Sequence, residues 1–363
     1  MKVLKDFEKD LEKCSRCGLC QNACPIYKLT KNECAVSKGK FVMLKGVVKG
    51  HLELSENINK YLDLCLKCGK CKEFCPSDID VCQILATAKN EFMRKKSYAK
   101  LINFAFSKII FNNIINIFHF ISKPFRPKFK KWENAENVTY FKGCVNQICP
   151  KTDKYLYKIF KNIPININTP DFECCGLPFL SEGNLERFEQ AATDNIKKIS
   201  NNYDYIVTDC SSCESTLLSY PQYIDCKIDE NKFVNWGEII SKYNIKFKFK
   251  KHLKVTFHKP CHMKEDSFVY KIFSNCENID FINMDKYDEC CGFAGSFGVK
   301  NHKISKEIAQ QKAQNIINTD ADIVITTCPS CTIGLRQGLF FKKKSIKVMS
   351  LLEFLAKAND IYI

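Results

Sequence analysis

Two stretches of this chain repeat one cysteine spacing, and no other feature restricts its fold so strongly. Cys14-Ser-Arg-Cys17-Gly-Leu-Cys20-Gln-Asn-Ala-Cys24-Pro25 and Cys65-Leu-Lys-Cys68-Gly-Lys-Cys71-Lys-Glu-Phe-Cys75-Pro76 both read C-x2-C-x2-C-x3-C-P. Three cysteines at intervals of three let one loop ligate three irons of a cubane. The fourth, placed before a proline, serves the other cluster of a pair. This predicts two [4Fe–4S] clusters, one on Cys14, Cys17, Cys20 and Cys75, the other on Cys65, Cys68, Cys71 and Cys24. Gly18 and Gly69 follow the second cysteine of each run, where the backbone must turn tightly. Zinc is the competing occupant, but its four-ligand sites do not call for an exchanged fourth cysteine with its proline.

The chain has 23 cysteines in 363 residues, and its first ten residues are charged rather than a secretory leader. Both facts suggest a reducing, cytoplasmic setting, in which clustered thiols are metal ligands or redox groups. The formal charge is +16. No nucleic-acid-binding motif accompanies it, so nucleic acid is not an expected partner. Anionic clusters would offset part of the excess.

Around the two runs, Val42, Leu44, Val47 and Val48, then Ile58, Tyr61, Leu62 and Leu64, recur at helical spacing. Residues 1–96 therefore read as a helical two-cluster ferredoxin-type domain. Residues 97–135 differ. Leu101 to Ser122 is rich in Phe, Ile and Leu, and Asn103, Ser107, Lys108, Asn112, Asn116 and His119 recur along it as a narrow polar stripe. That argues for an amphipathic helix and against a membrane span. A basic aromatic linker follows to Trp132. It reads either as packing on the other domains or as an interfacial element at a membrane surface or partner.

From residue 136 the chain repeats itself. Val138-Thr-Tyr-Phe-Lys-Gly-Cys144 matches Val255-Thr-Phe-His-Lys-Pro-Cys261. Cys174-Cys175-Gly176 matches Cys290-Cys291-Gly292, and Cys210-Ser-Ser-Cys213 matches Cys328-Pro-Ser-Cys331. The three landmarks keep offsets of 117, 116 and 118 residues, the mark of an internal duplication. β-branched runs alternate with helical segments such as 186–200 and 303–318, which predicts two α/β lobes, 136–248 and 249–363, with cysteines in loops after strands. Each lobe offers five candidate metal ligands: Cys144, Cys174, Cys175, Cys210 and Cys213, then Cys261, Cys290, Cys291, Cys328 and Cys331. Adjacent cysteines suit a less regular cluster or a redox-active thiol pair better than an ordinary cubane.

This second pattern resembles the duplicated cysteine-rich CCG domain of heterodisulfide reductases. The same domain occurs in the iron–sulfur subunits of glycolate oxidase, D-lactate dehydrogenase and anaerobic glycerol-3-phosphate dehydrogenase. With the two N-terminal runs, the layout is similar to that of the glycolate oxidase iron–sulfur subunit across nearly the whole chain. The resemblance implies further iron–sulfur centres in the lobes, noncubane in the heterodisulfide reductase manner, with zinc as the alternative. It implies an electron-transfer subunit that takes electrons from a flavoprotein oxidising glycolate or D-lactate and passes them to a quinone or similar acceptor. The alternatives are a thiol–disulfide oxidoreductase with catalysis at the cysteine-rich site, a glycerol-3-phosphate dehydrogenase subunit, and a non-catalytic scaffold. On the disulfide reading Cys290 and Cys291 are catalytic. His258 and His262, flanking Cys261, are candidates to move protons. Gly292, Gly295 and Gly298 lack the dinucleotide-binding spacing, so neither FAD nor NAD is expected on this chain. Cys34, Cys82, Cys149, Cys226 and Cys276 remain over and read as small buried hydrophobes.

Overall fold

The computed structural model describes residues 2–95, 127–148, 151–199 and 203–363. The amphipathic stretch predicted over 101–122 and Cys149 fall outside these residues. The N-terminal region is helical, and short helices separate its cysteine loops. Pro25 opens the helix Pro25–Thr30 at a position where the missing amide hydrogen costs nothing. Ser55 caps the helix Glu56–Asp63 by accepting from the Ile58 amide. The residues predicted to be helical fall in Ser37–Val48 and Glu56–Asp63, with Leu64 just past the end of the second. Their inward faces, Phe41, Leu44, Ile58 and Leu62, close over Leu4, Phe7, Leu11, Ile84 and Leu85 in one apolar core.

Two parallel sheets follow. The first contains β1 (Glu136–Tyr140), β2 (Ile165–Asn168), β3 (Tyr205–Thr208) and β4 (Phe233–Asn235), in the order β2-β1-β3-β4. The second contains β5 (Lys246–Phe257), β6 (Cys276–Phe281), β7 (Ile323–Thr326) and β8 (Lys347–Ser350), in the corresponding order β6-β5-β7-β8. A short strand β9 (Asp360–Tyr362) adds antiparallel to the start of β5. Every other pairing is parallel, and β7 is buried along its whole length. That is what a continuous apolar Ile-Val-Ile run under helices on both faces dictates. β5 begins at residue 246, ahead of the lobe border expected after residue 248, because Phe247 and Phe249 already alternate inward between exposed lysines.

The lobes share apolar cores rather than standing apart. Tyr140, Trp236, Val255, Phe257 and Phe354 belong to one cluster. A second cluster gathers the cysteine side of both lobes and takes in Ala86 of the N-terminal region. Polar contacts fasten that region to both lobes. Lys89 donates to the Ser181 carbonyl and Asn90 to that of Gly183. Lys70 pairs with Asp288 at 2.7 Å and Lys28 with Glu289 at 2.8 Å. No helix among the described residues is long and apolar enough to cross a membrane.

Candidate metal centres

The strand order decides where the cysteines meet. In a parallel sheet whose order reverses beside its first strand, the loops leaving that strand and its neighbour diverge and open a crevice at their carboxyl ends. Cys144 follows β1 and Cys210 follows β3. Cys261 follows β5 and Cys328 follows β7. The doublets arrive on the loops before Gly176 and Gly292, which have φ +92° and +84°. A side chain at either glycine would collide, with the Phe188 ring at Gly176 and with the Ser305 carbonyl and Ile308 at Gly292.

In both lobes the five thiols form the same chain of contacts. In the first, Cys144 Sγ lies 3.6 Å from Cys174 Sγ. Cys174 hydrogen-bonds Cys175, Cys175 reaches Cys213, and Cys213 reaches Cys210. In the second, Cys261 reaches Cys290, Cys290 reaches Cys291, Cys291 Sγ lies 3.6 Å from Cys331 Sγ, and Cys331 reaches Cys328. Cys210 and Cys328 then touch across the lobe boundary, so ten thiols make one unbroken run. The lobes are pinned at that point by the Ser211 amide, which donates to the Thr327 carbonyl, and by Ser212 beside Cys328. The second cysteine of each doublet is the acidic one. Hydrogen bonds from Cys174 and Cys213 hold Cys175 well down, and those from Cys290 and Cys331 do the same for Cys291.

The doublets are held differently. In the first lobe Asn195 accepts from the Glu173 amide and donates to the Cys174 carbonyl, while the Tyr220 hydroxyl donates to the Cys175 carbonyl. Burial and helix register align Asn195 with Lys312, whose ammonium donates to the Lys286 carbonyl and is drawn down to about 8 by desolvation. Sequence reasoning missed both residues, since nothing in a periodic helix marks a buried polar position before its neighbours are known.

The N-terminal cysteines collect as two sets. Cys14, Cys17 and Cys20 line one cavity together with Cys75 and Pro76 of the other run, and Cys71 also borders it. Cys24 lies near Cys65, and Cys71 near both. Arg16 and Lys67, one residue before each second cysteine, share the left-handed backbone of Gly18 and Gly69, so both loops wrap in the same manner. Burial pushes the Cys68 thiol up, with the sulfurs of Cys261 and Cys290 adding to the effect. The second N-terminal set therefore abuts the second lobe.

Of the four leftover cysteines among the described residues, Cys276 alone is buried as expected, packed in the shared core. Cys34, Cys82 and Cys226 are half-buried. Cys82 lies near Cys65 and Cys71, where burial raises its thiol to about 12. It belongs to the surroundings of the second N-terminal set.

The two histidines separate. His262 is bound on both sides, its Nε2 2.7 Å from the Lys67 carbonyl and its Nδ1 3.0 Å from Ser212 Oγ. It bridges the second N-terminal loop and both lobes. His258 is wholly buried, and neither ring nitrogen makes a hydrogen bond of good geometry. One of its nitrogens and the sulfurs of Cys291 and Cys331 all lie within 4.8 Å of one another. Burial and the nearby Lys312 charge hold its imidazole well below the usual range, so the ring is neutral.

These residues fit iron–sulfur groups. The described cysteines are free thiols, eight of the ten in the lobes are buried, and the His258 ring lies beside Cys291 and Cys331 within the run. Such thiols supply thiolate donors, and a buried imidazole whose polar atoms are poorly met calls for a partner.

The comparisons agree with this architecture. The family described as the 4Fe-4S dicluster domain matches residues 10–79, and the cysteine-rich domain, CCG, matches 138–218 and 255–336. One component of the fumarate reductase (CoM/CoB) of Methanothermobacter marburgensis is 27% identical over 96% of this chain and 73% of its own length. The probable glycolate oxidase iron–sulfur subunit of Bacillus subtilis is 22% identical over 95% and 94%. One component of the dihydromethanophenazine:CoB–CoM heterodisulfide reductase of Methanosarcina acetivorans is 21% identical over 96% and 94%. A solved structure, that of a hypothetical protein from Helicobacter pylori, shares the fold with a TM-score of 0.51 at 9% identity, over 89% of this chain and 67% of that one. The chain belongs to the iron–sulfur proteins that join a 4Fe-4S dicluster domain to a duplicated cysteine-rich CCG domain.

Proposed function

We propose that this chain is the electron-transfer subunit of a flavin-dependent 2-hydroxy acid dehydrogenase. A flavoprotein partner oxidises glycolate or D-lactate, and electrons leave through this chain toward a quinone or similar acceptor. The observation that carries the reading is the continuity of the thiols. Two N-terminal sets adjoin, the second abuts Cys261 and Cys290, and the lobe thiols run on to Cys144 without a break. Iron–sulfur groups held by these sets would exchange single electrons with their neighbours. The residues supply the rest. Half-exposed Leu19 and Phe74 border the first set beside exposed Cys17, an apolar rim at which a partner would dock. The second N-terminal set and both lobes are tied together through the two hydrogen bonds of His262, which keeps the spacing fixed. Co-extension with the Bacillus subtilis relative over nearly both full lengths supports the assignment.

A second reading places thiol–disulfide chemistry in this chain. It is favoured by an open cleft bordered by Cys68, Cys261 and His262, which gives a small molecule access to the second lobe's leading cysteine. Two relatives are also named for CoM and CoB. Anaerobically purified chain, assayed with and without the flavoprotein, separates the two. On the first reading it carries iron, turns over neither glycolate nor D-lactate alone, and accepts electrons once the flavoprotein is added. Turnover of a disulfide by the chain alone with a one-electron donor dye, lost in Cys291→Ser, would favour the second.

A further inference from the structure

The duplication makes each lobe a control for the other. Across the matched loops His258 stands where the first lobe has Phe141, three residues before the leading cysteine in both. Both side chains are fully buried, and they are not equivalent in what they demand. Phe141 is satisfied by packing, on Phe172 among others. Apart from a weak contact to the Tyr287 backbone, the His258 ring nitrogens make no hydrogen bond of good geometry, and the ring faces Cys291 and Cys331. A neutral imidazole always presents one N–H and one lone pair. A buried ring whose polar atoms are poorly met calls for a partner. Phe141, at the matched place in the first lobe, makes no such demand. The thiols beside the ring are the reason to expect a partner, because they converge on the same space.

We propose that His258 contacts the metal centre of the second lobe through a ring nitrogen and raises its reduction potential above that of the first lobe. The proposal rests on the lobes binding iron, as the proposed function requires. Replacing a thiolate by a neutral imidazole, or donating a hydrogen bond to a cluster sulfur, makes a cluster easier to reduce. The charged surroundings differ too: the second lobe buries Lys312 near Cys290 and Cys291, with Glu289 and Asp288 close by, where the first buries the neutral Asn195. The second lobe is also the one the N-terminal sets reach first, through Cys68. It is thus placed as the electron sink of the chain, with the first lobe beyond it.

The test uses the whole chain, reconstituted anaerobically with iron and sulfide and containing 15N-histidine, examined by electron–nuclear double resonance in the paramagnetic redox state. The expected result is a histidine nitrogen coupling on a lobe centre that disappears in His258→Phe. A strong coupling marks a direct ligand and a weak one an N–H donor to sulfur; both sustain the contact. His258→Phe, which copies the first lobe, lowers the potential of that centre by about tenfold in equilibrium constant, about 59 mV for one electron. A lobe centre with no histidine coupling, or a coupling that persists in His258→Phe, overturns the proposal. Should the variant fail to fold, labelled native chain alone still decides by the presence or absence of the coupling. Iron confined to the N-terminal sets would instead sink the proposed function, and this contact with it.

Discussion

The two lobes have one topology and one chain of thiol contacts, but different walls around it. The first holds its doublet with Asn195 and Tyr220 beside Phe141, next to the Arg187–Glu173 ion pair. The second uses His258 and Lys312, and adjoins the N-terminal cysteines through Cys68. Duplication preserved what a metal site needs from the backbone, namely the switch-point crevice and the glycine after each doublet. Divergence fell on second-layer residues that set charge and hydrogen bonding, the levers by which a protein tunes an iron–sulfur centre. The lobes therefore read as two versions of one site with different duties.

That contrast can be broken at several points. The largest effect is expected for the doublets themselves. Cys290→Ser should cut electron delivery through the chain by roughly 100-fold, because the second lobe lies between the N-terminal sets and everything beyond. Cys174→Ser should leave reduction of the second lobe intact. The check is stopped-flow reduction from the flavoprotein, and equal losses in both variants would contradict the order of the lobes.

Next come the glycines. Gly292→Ala and Gly176→Ala both force a side chain onto left-handed backbone, but the added methyl meets the Ser305 carbonyl and Ile308 in one case and the Phe188 ring in the other. A ring can shift more readily than main chain. Gly292→Ala should therefore cost the more, about 3 kcal/mol against about 1–2 for Gly176→Ala, measured by denaturant unfolding.

The charge difference gives a smaller, directional effect. Lys312→Asn should lower the potential of the second lobe, and Asn195→Lys should raise that of the first, each by some tens of millivolts or about threefold in equilibrium constant. Redox titration followed by EPR reads both. Tyr220→Phe is the mildest change. It removes the hydrogen bond to the Cys175 carbonyl and should cost about 1 kcal/mol of stability without shifting the second lobe's potential.

Much of this was legible in the residues themselves. The spacing predicts an exchange of Cys24 and Cys75 between the two runs, and Cys14, Cys17, Cys20 and Cys75 do line one cavity, which Cys71 also borders. The repeat offsets pointed to two matched lobes because strand, doublet and cysteine pair must keep register in both copies. Other features required three dimensions. Cys82 looked like a spare hydrophobe, since its nearness to Cys65 and Cys71 depends on how the helix Val81–Lys95 returns. His262 and His258 look alike in the string His-Lys-Pro-Cys-His. Only the fold shows that one is bonded on both sides and the other makes no hydrogen bond of good geometry. The start of β5 was not legible, because the strand alternates from Phe247 while the repeat becomes recognisable only at Val255.

The central claim is that the lobe thiols hold redox centres fed by the N-terminal pair, and iron analysis of anaerobically purified whole chain, read beside EPR of the reduced protein, tests it most directly. The account predicts iron well above the roughly eight atoms that two [4Fe–4S] clusters hold, with additional paramagnetic signals lost in Cys291→Ser. Iron at about eight per chain, with zinc in the lobes and no such signals, would contradict it.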